Sequence, residues 1–140
     1  MLDTINVMLD DRALMPQRAY SWDAGLDILS PSDFWIKVGE SFTLDTGVHV
    51  EIPQGYVGIL KSKSGLNVKY GITSEGVIDA GYTGSIKVKL YNHGEITYRV
   101  QYGDKISQLL IIPIVTPVPK KVTSIRGSER AENGFGSTGR

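Results

Sequence analysis

Gly84-Ser85-Ile86-Lys87-Val88-Lys89-Leu90-Tyr91 decides the fold class. Apolar and lysine residues alternate through it with a period of two, which is the period of a strand with one buried face and not of a helix. Ile86, Val88 and Leu90 are expected to face a core, leaving Lys87 and Lys89 on a face open to a ligand. The same rhythm extends outward in both directions. Upstream, Phe42 to Val50 runs into Pro53-Gln54-Gly55, and Tyr56 to Lys61 runs into a Ser/Gly stretch. Downstream, Asn92-His93-Gly94 ends the alternating strand, and Ile96 to Val100 leads to Tyr102-Gly103-Asp104. Short β-branched or aromatic runs with turn residues every 8 to 12 or so positions predict an all-β, jelly-roll-like sandwich or barrel with almost no helix. Ile106 to Pro113 is apolar on both faces apart from Ser107 and Gln108, as in a strand buried on both sides, within the fold or between subunits.

The chain has 140 residues, the size of one domain. Its 15 Lys and Arg balance 15 Asp and Glu, so no net field draws it to nucleic acid or to an anionic membrane. An anionic ligand must be held by local charge. Absence of cysteine excludes disulfides, thiolate metal sites and a cysteine nucleophile. The two histidines, His49 and His93, lack the spacing of a metal pair and are expected at the surface. No secretory signal is readable at the start. The longest apolar stretch, Leu109 to Val118, is broken by Pro113 and Pro117 and is half the roughly 20 residues a spanning helix needs. A cytoplasmic protein without nucleic-acid or membrane partners is the expectation. Beyond Thr123 the composition shifts to Ser, Gly, Arg and Glu with Phe135 as the main apolar anchor. Residues 1–123 are therefore expected to form the barrel and residues 124–140 a flexible arm.

Five segments carry candidate chemistry. Asp79-Ala80-Gly81-Tyr82-Thr83-Gly84 reads as the turn of a hairpin, placing Asp79 at a strand end, where an aspartate ordinarily caps the turn backbone. Lys63-Ser64-Gly65 offers a cation, a hydroxyl and a close-approach glycine, a set that suits phosphate. Gln108 is the one amide in an apolar strand and needs a partner if buried. Asp27 lies in Ala24-Gly25-Leu26-Asp27-Ile28. The terminal Gly134-Phe135-Gly136-Ser137-Thr138-Gly139-Arg140 looks superficially like a P-loop but lacks its Lys-Ser/Thr pair and the helix that must follow.

In this order and spacing, Ala24 to Ile28, Lys63 to Gly65, Gly76 to Gly84, Gly103 to Leu109 and Arg130 to Gly139 resemble the five motifs of the trimeric, all-β deoxyuridine triphosphate nucleotidohydrolase (dUTPase) family. The resemblance implies a homotrimer that hydrolyses dUTP to dUMP and pyrophosphate with Mg²⁺, keeping uracil out of DNA and supplying dUMP for dTMP synthesis. It implies that Asp79 deprotonates the water attacking the α-phosphorus, and that Tyr82 packs on the deoxyribose and excludes a 2′-hydroxyl. Uracil would be met by Thr73, Val77, Ile78 and Lys87. The triphosphate would be met by Lys63, Ser64, Gly65 and Gln108. Asp27 would reach Mg²⁺ through water. The arm would close over the nucleotide, Phe135 stacking on uracil while Arg130, Gly136, Ser137 and Thr138 donate to the outer phosphates.

The chain departs from the family pattern at two places. Lysine stands at position 63 where arginine is usual, replacing a bidentate fork with a point charge. The common Arg-Gly-x-Gly-Gly-Phe becomes Arg130-Ala131-Glu132-Asn133-Gly134-Phe135; Arg126-Gly127 resembles its start but lies four residues too early. A dCTP deaminase would need a glutamate where Lys89 stands, three residues before Asn92. A nucleotide-gated binding protein on the same fold is the alternative of another class.

Overall fold

The computed structural model describes residues 2–136, 138 and 139. Ten strands and one short helix form the body: β1 (Val7–Leu9), β2 (Leu26–Leu29), β3 (Phe34–Ile36), β4 (Ser41–Asp45), β5 (Val48–Val50), β6 (Tyr56–Lys61), α1 (Ser64–Tyr70), β7 (Ile72–Ile78), β8 (Lys87–Asn92), β9 (Tyr98–Val100) and β10 (Lys105–Pro113). A six-stranded antiparallel sheet runs in the order β2-β10-β6-β7-β8-β4, and it curls against two strand pairs, β1-β5 and β3-β9. The fold is the all-β one expected.

The alternating strand behaves as its period requires. Ile86, Val88 and Leu90 are buried, together with Ile28, Leu60, Ile72, Val100, Ile106 and Leu109, while Lys87 and Lys89 are exposed. Phe42 to Val50 is not one strand. Gly47, at φ +66°, turns a corner, and the buried Thr46 holds it by sending both its N–H and its hydroxyl to the Ile86 carbonyl, at 3.0 and 2.6 Å. The chain leaves β8 as β4 and joins β1 as β5, which closes the curl and puts His49 beside the N-terminal strand. β10 is buried on both faces only in its first half, at Ile106, Ser107 and Leu109; Ile112 is exposed. Among the described residues, regular structure ends at Pro113, and the last hydrogen bond from the chain to the body is Ile114 N–H to the Gly55 carbonyl, 2.9 Å.

Helix α1 is the element that sequence reading missed. None of its residues is buried and no side chain caps its start, so neither an apolar stripe nor a capping residue signalled it. Its stop is readable: Gly71, at φ +69°, accepts the left-handed turn that ends the helix. Behind Gly71 the chain packs against Gly94, where an added Cβ would lie 2.0 Å from the Tyr70 carbonyl oxygen. Gly94→Ala is therefore expected to destabilise the fold by about 1–3 kcal/mol, read as a lower denaturant midpoint with an unchanged slope.

Candidate active site

The first half of the site is a cleft of about 230 Å³ lined by Leu60, Gly76, Val77, Ile78, Asp79, Tyr82, Ser85, Ile86 and Lys87. Register explains why it opens. β7 pairs with β8 only at Ile72 to Ser74, opposite Leu90 to Asn92, and from Glu75 onward β7 pairs with β6 instead. The two strands of the hairpin thus splay toward their turn and leave a slot between Val77-Ile78 and Lys87. Asp79 stands exposed at its mouth. The turn is closed by the Tyr82 N–H to the Asp79 carbonyl, 3.2 Å, so the capping role goes to the backbone and not to the carboxylate.

Tyr82 is aimed by two features of the loop. Its hydroxyl donates to the Ser85 carbonyl at 2.8 Å, and its ring lies against Gly84, where a Cβ would come within 2.5 Å of the phenolic oxygen. Across the slot, Lys87 Nζ is 3.9 Å from Asp45. The Asp45 carboxyl is held below the usual carboxylate range by a Ser85 hydroxyl and the Gly47 N–H, with Lys87 and His49 adding to the effect.

The second half is a cationic cluster at the far end of the sheet. Asp27, on β2 and only 5% exposed, is gripped by two ammonium groups, Lys63 and Lys105, the latter at 3.3 Å. Gln108 lies opposite Asp27 in the β2-β10 ladder and packs on Gly25, where a Cβ would fall 2.4 Å from its amide oxygen. Its amide nitrogen donates to the Ser62 carbonyl, 2.9 Å, which supplies the partner its burial demands. Ser62 in turn is fixed beneath: its hydroxyl accepts from Ser74 N–H at 2.9 Å, and the Ser74 hydroxyl meets that of Ser107 at 2.8 Å. These bonds cross from β6 to β7 and β10 and hold the segment that presents Lys63, Ser64 and Gly65. Two cations against one buried carboxylate leave local positive charge for an anion, with Ser64 and Gly65 exposed beside it.

The two halves are far apart on one chain. Asp79 follows Ile78, which pairs with Gly58 near the start of β6, whereas Lys63 lies beyond its end at Lys61. Asp27 lies three strand spacings across from β7. Strand rise and strand spacing together put the carboxylate of Asp79 on the order of 20 Å from the cationic cluster. Thr73, expected with the base-binding residues, lies opposite Tyr91 at the closed end of the hairpin, in a groove with Ser64 and Asn67, and does not line the cleft of Val77, Ile78 and Lys87.

Phe135 is fully exposed, and the Arg130 guanidinium folds back on the arm itself, donating to the carbonyls of Asn133 and Gly134 at 2.8 and 3.4 Å. Ala131 takes a φ of +44°, a conformation that glycine adopts without strain, at the place where the family pattern has glycine. Gly136 and Thr138 are exposed near it, and Ser137 lies outside the described residues.

The dUTPase family profile matches residues 11–139. The chain belongs to the dUTPase family. It is 40% identical over 134 residues to the deoxyuridine 5'-triphosphate nucleotidohydrolase of Clostridium acetobutylicum, covering 94% of this chain and 92% of that one. A solved dUTPase of Staphylococcus bacteriophage 80alpha, with dUPNHPP, superposes with a TM-score of 0.93 at 35% identity over 99% of both chains. A mutant of the dUTPase from phage phi11 of S. aureus, described for its coordination of a structural Mg(II) ion, superposes with a TM-score of 0.81 at 35% identity, covering 87% of this chain and 98% of that one.

Two polar contacts near these elements had escaped the sequence reading. Lys105, the second partner of Asp27, sits where β10 shifts register against β2 between Lys105 and Ser107, and that bulge leaves no mark in the sequence pattern. His49 was expected at the surface. It is instead half-buried, with Nδ1 2.7 Å from the Thr83 carbonyl and Nε2 3.0 Å from the Asp10 carboxylate. Among the described residues no helix is long and apolar enough to cross a membrane.

Proposed function

We propose that this chain hydrolyses dUTP to dUMP and pyrophosphate, with Asp79 as general base, in sites shared between the copies of a homotrimer. The observation that carries the reading is the placement of Asp79: an exposed carboxylate, not used by its own turn, at the mouth of a slot walled by Val77, Ile78, Lys87 and Tyr82. Backbone groups of Val77 and Ile78 meet the uracil edge, and the Tyr82 ring fills the space a 2′-hydroxyl would need. The Asp79 carboxylate takes the proton of the attacking water as its oxygen bonds to the α-phosphorus, and the bond to the oxygen bridging toward the β-phosphorus breaks.

A carboxylate acting at the α-phosphorus cannot use phosphate-binding groups on the order of 20 Å away, so Lys63, Ser64, Gly65 and Gln108 are supplied by a second copy. Residues 124–140 are the arm that closes from a neighbour, bringing Phe135 to the base and Arg130, Gly136, Ser137 and Thr138 to the outer phosphates. Mg²⁺ would be held mainly by the triphosphate itself; Asp27, whose carboxylate is already engaged by Lys63 and Lys105, would take part only through water. When bound, Mg²⁺ supplies neutralisation of charge on the phosphates. The enzyme acts on free nucleotide in the cytoplasm, lowering the dUTP available to DNA synthesis and supplying dUMP.

Pyrophosphate release from dUTP, dTTP, dCTP and UTP, with and without Mg²⁺, tests this; turnover of dUTP alone is expected, and turnover of none removes the reading. Gly84→Ala provides a finer check. The new methyl must push the Tyr82 ring off its seat, so the preference for dUTP over UTP in kcat/KM is expected to fall by about tenfold, with the loss coming from improved use of UTP as well as poorer use of dUTP.

A further inference from the structure

The loop from Asp79 to Gly84 carries both the base and the sugar wall, yet little ties it down. Strand pairing on its incoming side ends at Ile78, and on its outgoing side the ladder resumes with Ile86 N–H to the Val48 carbonyl, 2.8 Å. The bonds from Tyr82 to the carbonyls of Asp79 and Ser85 are internal to the loop and its exit. Among the described residues, one hydrogen bond connects the loop to another element: His49 Nδ1 to the Thr83 carbonyl, 2.7 Å. Thr83 adjoins Tyr82. The other ring nitrogen, Nε2, lies 3.0 Å from each oxygen of Asp10.

A backbone carbonyl and an ionised carboxylate both only accept. Both bonds are made together only when each ring nitrogen carries a hydrogen, as in the imidazolium. We propose that His49, held as a cation by Asp10, is a positioning residue for the reaction: it fixes the Thr83 carbonyl and so aims Asp79 and Tyr82 into the cleft. The proposal rests on the reading of Asp79 as the base.

The groups around the ring support its charge. Asp10 faces it from beyond β1, Asp45 from the end of β4, and Glu51 shares its groove from the exit of β5; Lys87 is paired with Asp45 at 3.9 Å. The Thr83 carbonyl first, and Asp10 next, raise the His49 pKa above its ordinary value. Raised affinity for the proton means that the anchor is complete below the ordinary histidine range and is lost as pH climbs through the folded value. A neutral ring keeps one N–H. The charge-assisted bond to Asp10 is the stronger of the two, so the hydrogen stays on Nε2 and the Nδ1 lone pair then opposes the Thr83 oxygen.

Two amides separate the halves of the clamp, because the nitrogen of asparagine falls near Nδ1 and that of glutamine near Nε2. The experiment compares kcat and KM for dUTP across about pH 6 to 9 in wild type, His49→Asn and His49→Gln, with imidazole ¹⁵N shifts of the wild type read over the same range and His93 assigned by difference. Wild-type kcat is expected to fall above the pKa that the ¹⁵N shifts report, and that pKa is expected above 6.5. His49→Asn should keep kcat within about twofold and lose that alkaline fall, whereas His49→Gln should lose about tenfold in kcat with little change in KM. A His49→Gln enzyme matching wild type in kcat and pH profile, or a ring already neutral near pH 6.5, overturns the inference while dUTP turnover stands. A wild type that does not turn over dUTP overturns the reading of Asp79 and this inference together.

Discussion

Asp79→Asn is expected to lower kcat for dUTP by about 10²–10⁴-fold, the range attributable to a general base. The amide is nearly isosteric with the carboxylate but cannot accept the water's proton. Because the turn is closed by the backbone of Asp79 and Tyr82, the substitution leaves the loop and the cleft in place. Affinity for a non-hydrolysable dUTP analogue is accordingly expected to change by less than about threefold. Single-turnover rates alongside calorimetric titration of the analogue check both halves of this statement. Equal rates for wild type and variant would show that another group activates the water.

Removing residues 124–140 is expected to lower kcat/KM by about 10²–10³-fold with no loss of melting temperature. Among the described residues, nothing in the arm contributes to the core: Ile125 and Phe135 are fully or nearly fully exposed, and the hydrogen bonds of Arg130 are to its own segment. Its contribution must come when nucleotide is bound, through stacking by Phe135 and charge-assisted bonds from Arg130. Arg130 has to exchange the carbonyls of Asn133 and Gly134 for phosphate oxygens, and the charged bond is the better one. Differential scanning calorimetry beside steady-state kinetics on the truncated chain separates the two effects; a lowered melting temperature would mean that the arm belongs to the folded body.

The fold was legible because its signal is periodic. Ile86, Val88 and Leu90 alternate with two lysines, and that pattern admits only a half-buried strand. The corner at Thr46 and Gly47 was not legible, since a β-branched run with one glycine reads the same whether it continues straight or crosses between strand pairs. Helix α1 escaped because it has neither an apolar stripe nor a capping side chain. In the site, the segments that carry chemistry stood out by their order and spacing along the chain, and the opening of the hairpin at Asp79 follows from β7 changing partner from β8 to β6. Residue type said nothing of distance. That Asp27, Lys63, Lys105 and Gln108 gather at one end of the sheet and Asp79 and Tyr82 at the other is a matter of register, as is the place of Thr73 opposite Tyr91, further along the hairpin from Asp79. His49 was unreadable for the same reason: Asp10 and Thr83 lie far from it in sequence and meet it only across β1 and the loop.

The division of the site between copies is the central claim, and mixing two inactive chains tests it most directly. Asp79→Asn chains and chains ending at Thr123, unfolded together in equal amounts and refolded, should form mixed trimers. If the base and the arm of each site come from different copies, about a quarter of the sites regain both, and dUTP hydrolysis returns to about a quarter of that of refolded wild type. A mixture that stays as inactive as its components, while wild type refolds to full activity, would contradict the account and place base and arm on the same chain.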